Sequence, residues 1–446
     1  MLSPLHSPGR VAAEESARTK LLRNAGWLII DRGVRFVVVF ATGILVTRHL
    51  GPSDTGILGN ALALAAVLGG LCDLGLDSIV RMQVIKAPVS RGTILGTALG
   101  LRLLAAPVAF GVFAAALAGG PPGTTGVLIA GVGLTLLAPA ALIFDSWFHS
   151  QTQARYSVWG QTAALFLGAT LRAGGVVAGA SLAWFGWVAG IEAIAMGLLL
   201  LLVYRCSGEN LRAWRFESAT ARSLLARSWS LALTNLAILL YTRIDVVLLS
   251  HLRGAHETGL YAAVVRLTEV GYILPMILVN TLFPLLTRQH AEDPAAFLLT
   301  LRRLLTVVAG TGVATAATLA LGAPLWIRIL YGAEFAAAAP ALTLGAWTCI
   351  LAGLGAVRAQ WLLLHGLQHY GLYYVGLGAL LNLALNLWLI PALGAVGAAG
   401  ASLATQTFII FVAPLFFAPT RPTVVLLLRA FLPVGLIASR QSPPSV

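Results

Sequence analysis

Charged residues are scarce in this sequence: they make up 10% of its 446 residues, whereas about 25% is usual for a soluble domain. Hydrophobic residues reach 58%, and the mean hydropathy is +0.88. The apolar runs do not alternate with polar residues, as barrel strands must. The composition therefore predicts one polytopic, all-α membrane protein rather than a soluble domain with a single anchor.

Catalytic motifs are also missing. The sequence contains no nucleotide-binding P-loop, no His-Glu-x-x-His, no Gly-x-Ser-x-Gly and no Asp-x-Asp, which argues against a built-in ATPase or a metal-dependent glycosyltransferase. Cys72, Cys206 and Cys349 are far apart, and His365 and His369 lie in a short turn without a third ligand. We therefore expect no enzyme, no metal and no cofactor.

Long apolar runs recur along the chain, and each is long enough to cross a bilayer as a helix. They predict twelve spans, near residues 26–49, 55–76, 93–118, 124–145, 156–180, 184–204, 229–250, 259–287, 303–330, 337–364, 370–391 and 396–418. A weaker apolar segment at 423–439 contains Arg429 and Pro433 and is a candidate for a partial thirteenth span.

The basic residues between the spans predict the orientation. With the N-terminus inside, seventeen Arg and Lys residues fall in inner segments, and only Arg48, Arg253 and Arg328 fall in outer ones. Inner loops of membrane proteins carry this excess. The net charge of +13 is therefore explained by topology, and we expect no nucleic-acid partner.

The chain divides into two related halves of six spans. A cytoplasmic tail (1–25) precedes the first half (26–204), a cytoplasmic linker (205–228) follows it, and the second half (229–420) leads into a C-terminal segment (421–446). The outer turns HLGPSDTGIL at 49–58 and HLRGAHETGLY at 251–261 share a pattern at the same place in each half. This predicts a parallel repeat, a transporter plan with the substrate path between the halves.

Ionisable residues inside the spans need a partner or a cavity, because each costs about 2.5–3.5 kcal/mol at the helix centre. Arg243 and Asp245 are two residues apart and cannot share a helix face. Arg266 and Glu269 are three apart, so they can pair with each other or meet the first two residues across an interface.

Other polar residues in the spans leave alternatives open. Asp31 and Arg35 are four apart and can pair, which leaves Arg32 less compensated. Asn382 and Asn386 suit either sugar hydroxyls or interhelical contacts.

The remaining charges extend the same pattern. Asp73, Asp77 and Arg81 have the spacing of a solvated helix end, and Arg102, Arg172, Arg358, Asp145 and Glu192 complete the intramembrane set. The excess inside the spans is cationic, and a guanidinium group matches phosphate oxygens, so an anionic head group such as diphosphate is the natural ligand. Composition does not distinguish it from a carboxylate or a sugar acid.

Three segments together resemble a known family, the Wzx-type polysaccharide-biosynthesis flippases of the multidrug/oligosaccharidyl-lipid/polysaccharide exporter superfamily. They are WLIIDRGVRFVVVFATGILVTRHLGPSDTGILGNALAL, SWSLALTNLAILLYTRIDVVLLSHLRGAHETGLYAAVVRLTEVGYILPMILVNTLFPLL and LNLALNLWLIPALGAVGAAGASLATQ. The second is the most specific, through its Arg-Ile-Asp, Thr-Gly-Leu-Tyr and Phe-Pro. The resemblance covers about residues 22–420, although several relatives have fourteen helices.

The resemblance implies two six-helix lobes around a central cavity, alternating access, and transport of a polyprenyl-diphosphate-linked oligosaccharide from the inner to the outer leaflet of the plasma membrane. Carried over by position, it makes Arg32, Arg35, Arg243 and Arg266 candidates for anion binding. Asp245 and Glu269 become candidates for ion coupling or for orienting those arginines, and Asp31 becomes a charge partner.

The implied partners are the lipid-linked oligosaccharide and the membrane lipids, with a polysaccharide polymerase and other glycan-assembly proteins as further candidates. The alternatives are a drug or metabolite exporter, a peptidoglycan-precursor flippase of the same superfamily, and a membrane-embedded glycan ligase or polymerase.

Overall fold

The chain is built from helices in a computed structural model that describes residues 8–119, 123–151 and 153–431. Helices are the expected solution for apolar spans, because lipid cannot satisfy backbone polar groups. The α-helices are α1 Pro8–Asp73, α2 Leu76–Lys86, α3 Arg91–Leu117, α4 Thr124–Gly133, α5 Ala138–Ser150, α6 Ala154–Val177, α7 Leu182–Cys206, α8 Ser218–Val270, α9 Ile273–Glu292, α10 Pro294–Leu321, α11 Ala323–Leu330, α12 Ala339–Gly345, α13 Thr348–Leu364, α14 His369–Thr407 and α15 Arg421–Leu428.

Several of these helices are long enough for more than one crossing. In the described residues, seven helical stretches are long and apolar enough to span a membrane, or eight if the bent pair Ala333–Gly345 and Thr348–Leu364 counts as one. Three of the seven have 54, 75 and 48 residues, against about 20 needed for one crossing. The multi-pass helical membrane fold is thus confirmed, and the number twelve stays a prediction.

Glycine breaks divide the three longest stretches at the predicted outer turns. Gly51 has φ 71° and ψ 178°, and Gly254 has φ 84° and ψ −179°. This backbone region is essentially restricted to glycine. Gly394, with φ 56° and ψ −131°, breaks α14 between predicted spans 11 and 12. The two related outer turns therefore share one backbone conformation as well as one sequence pattern.

Apolar packing separates the two halves into lobes. Two buried clusters consist of residues between Val46 and Tyr204, one of them joined by Leu224 of α8, and a third consists of residues between Val279 and Ala430. The fourth draws on Val246–Ala399 and adds only Ala63 from the other half. We call the described residues up to Cys206 the first lobe and those from Ser218 onward the second lobe.

The two outer turns pack against each other in a reciprocal contact. A Cβ placed on Gly56 would lie 1.8 Å from the carbonyl oxygen of Ala255, and one on Gly259 would lie 1.7 Å from that of Pro52. Gly56 lies five residues after Gly51, and Gly259 lies five residues after Gly254. Pro52 and Ala255 are the residues directly after Gly51 and Gly254. The contact therefore repeats itself across the lobes and closes the predicted outer side.

Adding one methyl group to this contact should open it. We expect Gly56→Ala to destabilise the closed outer side by about 1–3 kcal/mol, a shift of about 5- to 150-fold in a two-state equilibrium. A single cysteine at Thr47, in a background without the native cysteines, should then react faster with an impermeant maleimide applied outside. Gly59→Ala is the control, since its Cβ would be 3.9 Å from its nearest neighbour. Equal labelling of the two variants would contradict a closing role for Gly56.

The linker between the lobes is docked on the first lobe. Gly92, Gly96 and Gly100 lie one turn apart on α3 and together form a groove. A Cβ on Gly92 would lie 2.4 Å from Ala213, one on Gly96 2.6 Å from Arg215, and one on Gly100 2.7 Å from Phe216. Thr97, on the same stretch, donates to the carbonyl oxygen of Arg215 at 3.3 Å and accepts from the Glu217 amide at 3.1 Å. The chain is held to α3 until one residue before α8 begins.

The two ends of the chain extend beyond the predicted spans. The backbone from Pro8 to residue 25, assigned by sequence to a tail, is continuous with the first span in α1. The C-terminal segment forms α15 and a short 3₁₀ turn, Arg429–Phe431. Residues 1–7 and 432–446 lie outside the described part, so the partial thirteenth span stays a prediction.

Candidate functional site

Two cavities of about 250 Å³ each lie among the helices. The first, here the N-cavity, lies between the first lobe and α8, and its polar lining is Thr42, Thr47, Thr55, Arg172, Glu192 and Arg266. The second, here the C-cavity, lies within the second lobe, and its charged lining is Arg243, Asp245 and Glu269. Every charged residue that the sequence predicted in spans 7 and 8 therefore lines one of these cavities.

Arg266 reaches from the second lobe across to the first. A Cβ on Gly43, in α1, would lie only 1.7 Å from Nη1 of Arg266, so the guanidinium occupies the space that any larger residue would fill. The described part of the chain provides Arg266 with no ion pair and no hydrogen bond. The pair that its spacing from Glu269 allowed is not formed.

A second arginine of the N-cavity does have a partner. Arg172 of α6 forms an ion pair with Glu192 of α7, and their side chains remain 24% and 23% exposed. The carboxylate fits there because α6 has a glycine at 168, where a Cβ would lie 2.3 Å from Oε2 of Glu192. Sequence analysis placed both residues in the membrane without pairing them. The sequence signal for this pair was their opposite charge on two spans that a short turn joins.

In the C-cavity, Arg243 and Asp245 point to different partners, as their spacing predicts. Arg243 lies 4.0 Å from Glu269, and both side chains are more than 40% exposed. Asp245 is buried and accepts hydrogen bonds from the Tyr261 hydroxyl and from the backbone amide of Val246 at 2.8 Å. The cavity thus presents a loosely held arginine beside a carboxylate that hydrogen bonds satisfy.

Arg35 does not project freely into a cavity. Its Nη2 donates to Thr162 Oγ1 at 2.6 Å and to the Val158 carbonyl oxygen at 2.9 Å, both on α6. These hydrogen bonds hold α1 to α6, and anion binding by Arg35 stays a prediction. Asp31 and Arg32 lie on α1 as well, but their side chains are outside the described part, so their predicted roles stay predictions.

Asn382 and Asn386 are completely buried in the second lobe. Asn386 donates to Asn382 at 2.9 Å, and Asn382 donates to Thr405 Oγ1 at 3.4 Å. Neither residue lines the N-cavity or the C-cavity. The contact between Asn382 and Thr405 joins predicted spans 11 and 12, and sugar binding by the two asparagines stays a prediction.

A buried charge cluster in the first lobe differs from its sequence interpretation. Leu74 and Gly75 have positive φ angles of 55° and 64°, so Asp73 and Asp77 do not lie on one continuous helix. Both carboxylates bind Arg102, which is completely buried. The expectation of a solvated helix end was therefore wrong, because the chain turns there and directs both acids to one arginine.

Arg81, the third member of that predicted ladder, forms a separate ion pair with Asp145 at 3.0 Å. Asp145 also accepts hydrogen bonds from Ser157 and, at 2.9 Å, from Gln161. These contacts join α2, α5 and α6 near their predicted inner ends, and we assign them to the packing of the first lobe.

Comparison with known proteins agrees with this architecture. A family model described as "Polysaccharide biosynthesis protein" matches residues 21–290. No curated protein matches the chain in sequence. Similar solved structures include "Lipid II flippase MurJ, inward closed conformation", at 13% identity and a TM-score of 0.74, covering 90% of this chain and 90% of that one.

Transporters of the MATE family have the same fold. An inward-facing MATE structure of the MOP superfamily has a TM-score of 0.67 at 13% identity, covering 89% of this chain and 96% of that one. An outward-facing one has a TM-score of 0.53 at 15% identity, covering 90% and 94%.

Proposed function

Because the chain belongs to the polysaccharide biosynthesis protein family, we propose that it is a flippase for an oligosaccharide linked to polyprenyl diphosphate. It moves this lipid from the inner to the outer leaflet of the plasma membrane, with its N-terminus in the cytoplasm. The observation that supports this most is Arg266, a cation that lines a cavity between the lobes without an acidic partner in the described chain.

The position of Arg266 within the membrane calls for a compensating interaction. An arginine within a membrane costs free energy unless a partner or water compensates it. A diphosphate is a suitable partner, because the planar guanidinium donates two parallel hydrogen bonds to phosphate oxygens. Arg266 then binds the diphosphate, and Arg243, held only loosely by Glu269, supplies a second cationic contact in the C-cavity.

The reciprocal contact of the outer turns supports transport by alternating access. With the outer side closed, the head group enters the space between the lobes from the inner leaflet. Separation of Gly56 from Ala255, and of Gly259 from Pro52, then opens the path to the outer leaflet. Asp245 and Glu269 are the acidic groups available in the C-cavity for ion coupling, because protonation or cation binding can differ between the two states.

The test is made in a strain that lacks this gene. We expect complete polyprenyl-linked repeat units to accumulate on the inner leaflet, and wild-type protein to relieve this. Arg266→Gln should not relieve it. Arg288→Gln is the matched control, since Arg288 is 73% exposed and pairs with Glu292, and it should restore transport fully.

Other outcomes identify the alternatives. Accumulation of a peptidoglycan precursor would indicate that lipid as the substrate. Normal glycan lipids together with drug sensitivity would indicate an exporter. Repeat units that reach the outer leaflet but stay unpolymerised would point to a ligase or polymerase.

A further inference from the structure

The Arg172–Glu192 pair is placed where an anion can compete for it. Both side chains line the N-cavity together with Arg266, and about three quarters of each is shielded. The cavity therefore presents two cations and one carboxylate. The carboxylate neutralises one cation as long as no ligand is present.

The two arginines belong to different lobes. Arg172 comes from α6 in the first lobe, and Arg266 comes from α8 in the second and lies against Gly43 of α1. A diphosphate has two charged phosphates, and it can engage one guanidinium from each lobe. The anion and the Glu192 carboxylate then compete for the same guanidinium of Arg172.

Among the described residues, no other cation is placed to replace Arg172 beside Glu192. The residues of α1 that line the N-cavity carry no charge, and neither α4 nor the turn Leu134–Leu137 contains an ionisable residue. The ionisable residues of α5, Asp145 and His149, contact each other. Across the cavity, Arg266 is the remaining cation, and it is the second ligand of the anion.

We propose that Glu192 is an exchangeable counter-ion of Arg172, displaced by the substrate diphosphate and protonated when it is displaced. The inference rests on the proposed function and adds to it a proton-linked step. A carboxylate that loses its cation in a poorly hydrated site favours its neutral form, so it takes up one proton from water. On release of the anion, Arg172 binds Glu192 again and the proton leaves.

Binding of the anion and of the proton should therefore strengthen each other, since coupling between two ligands is reciprocal. The probe is a short-chain isoprenyl diphosphate sugar, because each phosphate of a doubly substituted diphosphate has a single, strongly acidic group. Its affinity for the purified wild-type protein should rise as pH falls, by up to about tenfold per pH unit for one linked proton.

Glu192→Gln provides the decisive comparison. It should remove the pH dependence, and it should bind the probe at about pH 8 as tightly as the wild type does at low pH, because Arg172 is no longer held. Glu292→Gln is the matched control at an exposed helix end and should keep the wild-type slope. Calorimetry in two buffers of different ionisation enthalpy counts the protons directly.

The outcomes separate the two proposals. A wild-type protein that fails to bind the probe at any pH would contradict the anion site itself. Binding without proton uptake, or a slope that persists in Glu192→Gln, would overturn the counter-ion role and leave the flippase proposal in place. If Glu192→Gln is poorly folded, Gly168→Ala offers a second variant, since its methyl group would push the carboxylate from Arg172 and should also reduce the slope.

Discussion

Arg266→Gln is expected to weaken binding of the lipid diphosphate by roughly ten- to hundredfold. The substitution removes a charged donor, and hydrogen bonds to charged groups contribute about 1.5–3 kcal/mol, with a factor of ten for every 1.4 kcal/mol. Titration of purified protein with a short-chain isoprenyl diphosphate sugar measures the change. Arg266→Lys keeps the charge but loses the two-pronged geometry, so it should recover only part of the affinity.

Gly43 allows the same site to be disturbed without touching the arginine. A leucine at position 43 would occupy the place of the Arg266 guanidinium and should reduce affinity to a similar extent. Because both substitutions remove one interaction, the double variant Gly43→Leu/Arg266→Gln should bind no more weakly than either single one. Additive losses would show that Gly43 and Arg266 act separately, and full affinity in Gly43→Leu would place the anion elsewhere.

Arg102→Leu should produce the largest loss of stability in the first lobe. Arg102 is completely buried and binds both Asp73 and Asp77. Removing one partner of a buried ion pair typically costs about 3–5 kcal/mol, because it leaves an uncompensated charge behind. We expect a marked fall in the unfolding midpoint of the purified protein, measured by thermal or denaturant unfolding in detergent.

The comparison with Arg288 tests whether burial is the cause. Arg288 is 73% exposed and its partner Glu292 is 61% exposed, so Arg288→Leu should leave the unfolding midpoint almost unchanged. If Arg102→Leu does not fold, the triple variant with Asp73→Asn and Asp77→Asn should, since it removes the unpaired charges as well. Equal effects of Arg288→Leu and Arg102→Leu would contradict the charge argument.

The features that sequence alone predicts best are those fixed by local chemistry. Apolar length predicts helices because lipid leaves the backbone no other partners. The matching patterns after His49 and His251 predict related turns, because a glycine is needed for the backbone that Gly51 and Gly254 adopt. The independence of Arg243 and Asp245 follows from helix periodicity in the same way.

Contacts between side chains of different helices could not be predicted from residue spacing along the sequence. The ladder of Asp73, Asp77 and Arg81 assumes an unbroken helix, and the non-glycine residue Leu74 gave no sign of a positive φ. Arg266 has an acid three residues away, yet the space left by Gly43 on another helix decides where it points. The partner of such a side chain depends on shape complementarity between helices, and residue spacing along one helix gives no information about it.

The docking of the linker on α3 continues into α8, because Leu224 packs in a first-lobe cluster and a Cβ on Gly75 would lie 2.5 Å from the amide nitrogen of Ala232. Beyond Ala232, therefore, α8 can tilt against the first lobe. From Ala232 to Gly254 that helix is unbroken, which makes a lever of about 33 Å at 1.5 Å per residue. A tilt of about eight degrees at its inner end then moves its outer end by roughly 5 Å. A displacement of that size is enough to part Ala255 from Gly56, so a small rotation near the cytoplasm can unseal the opposite face.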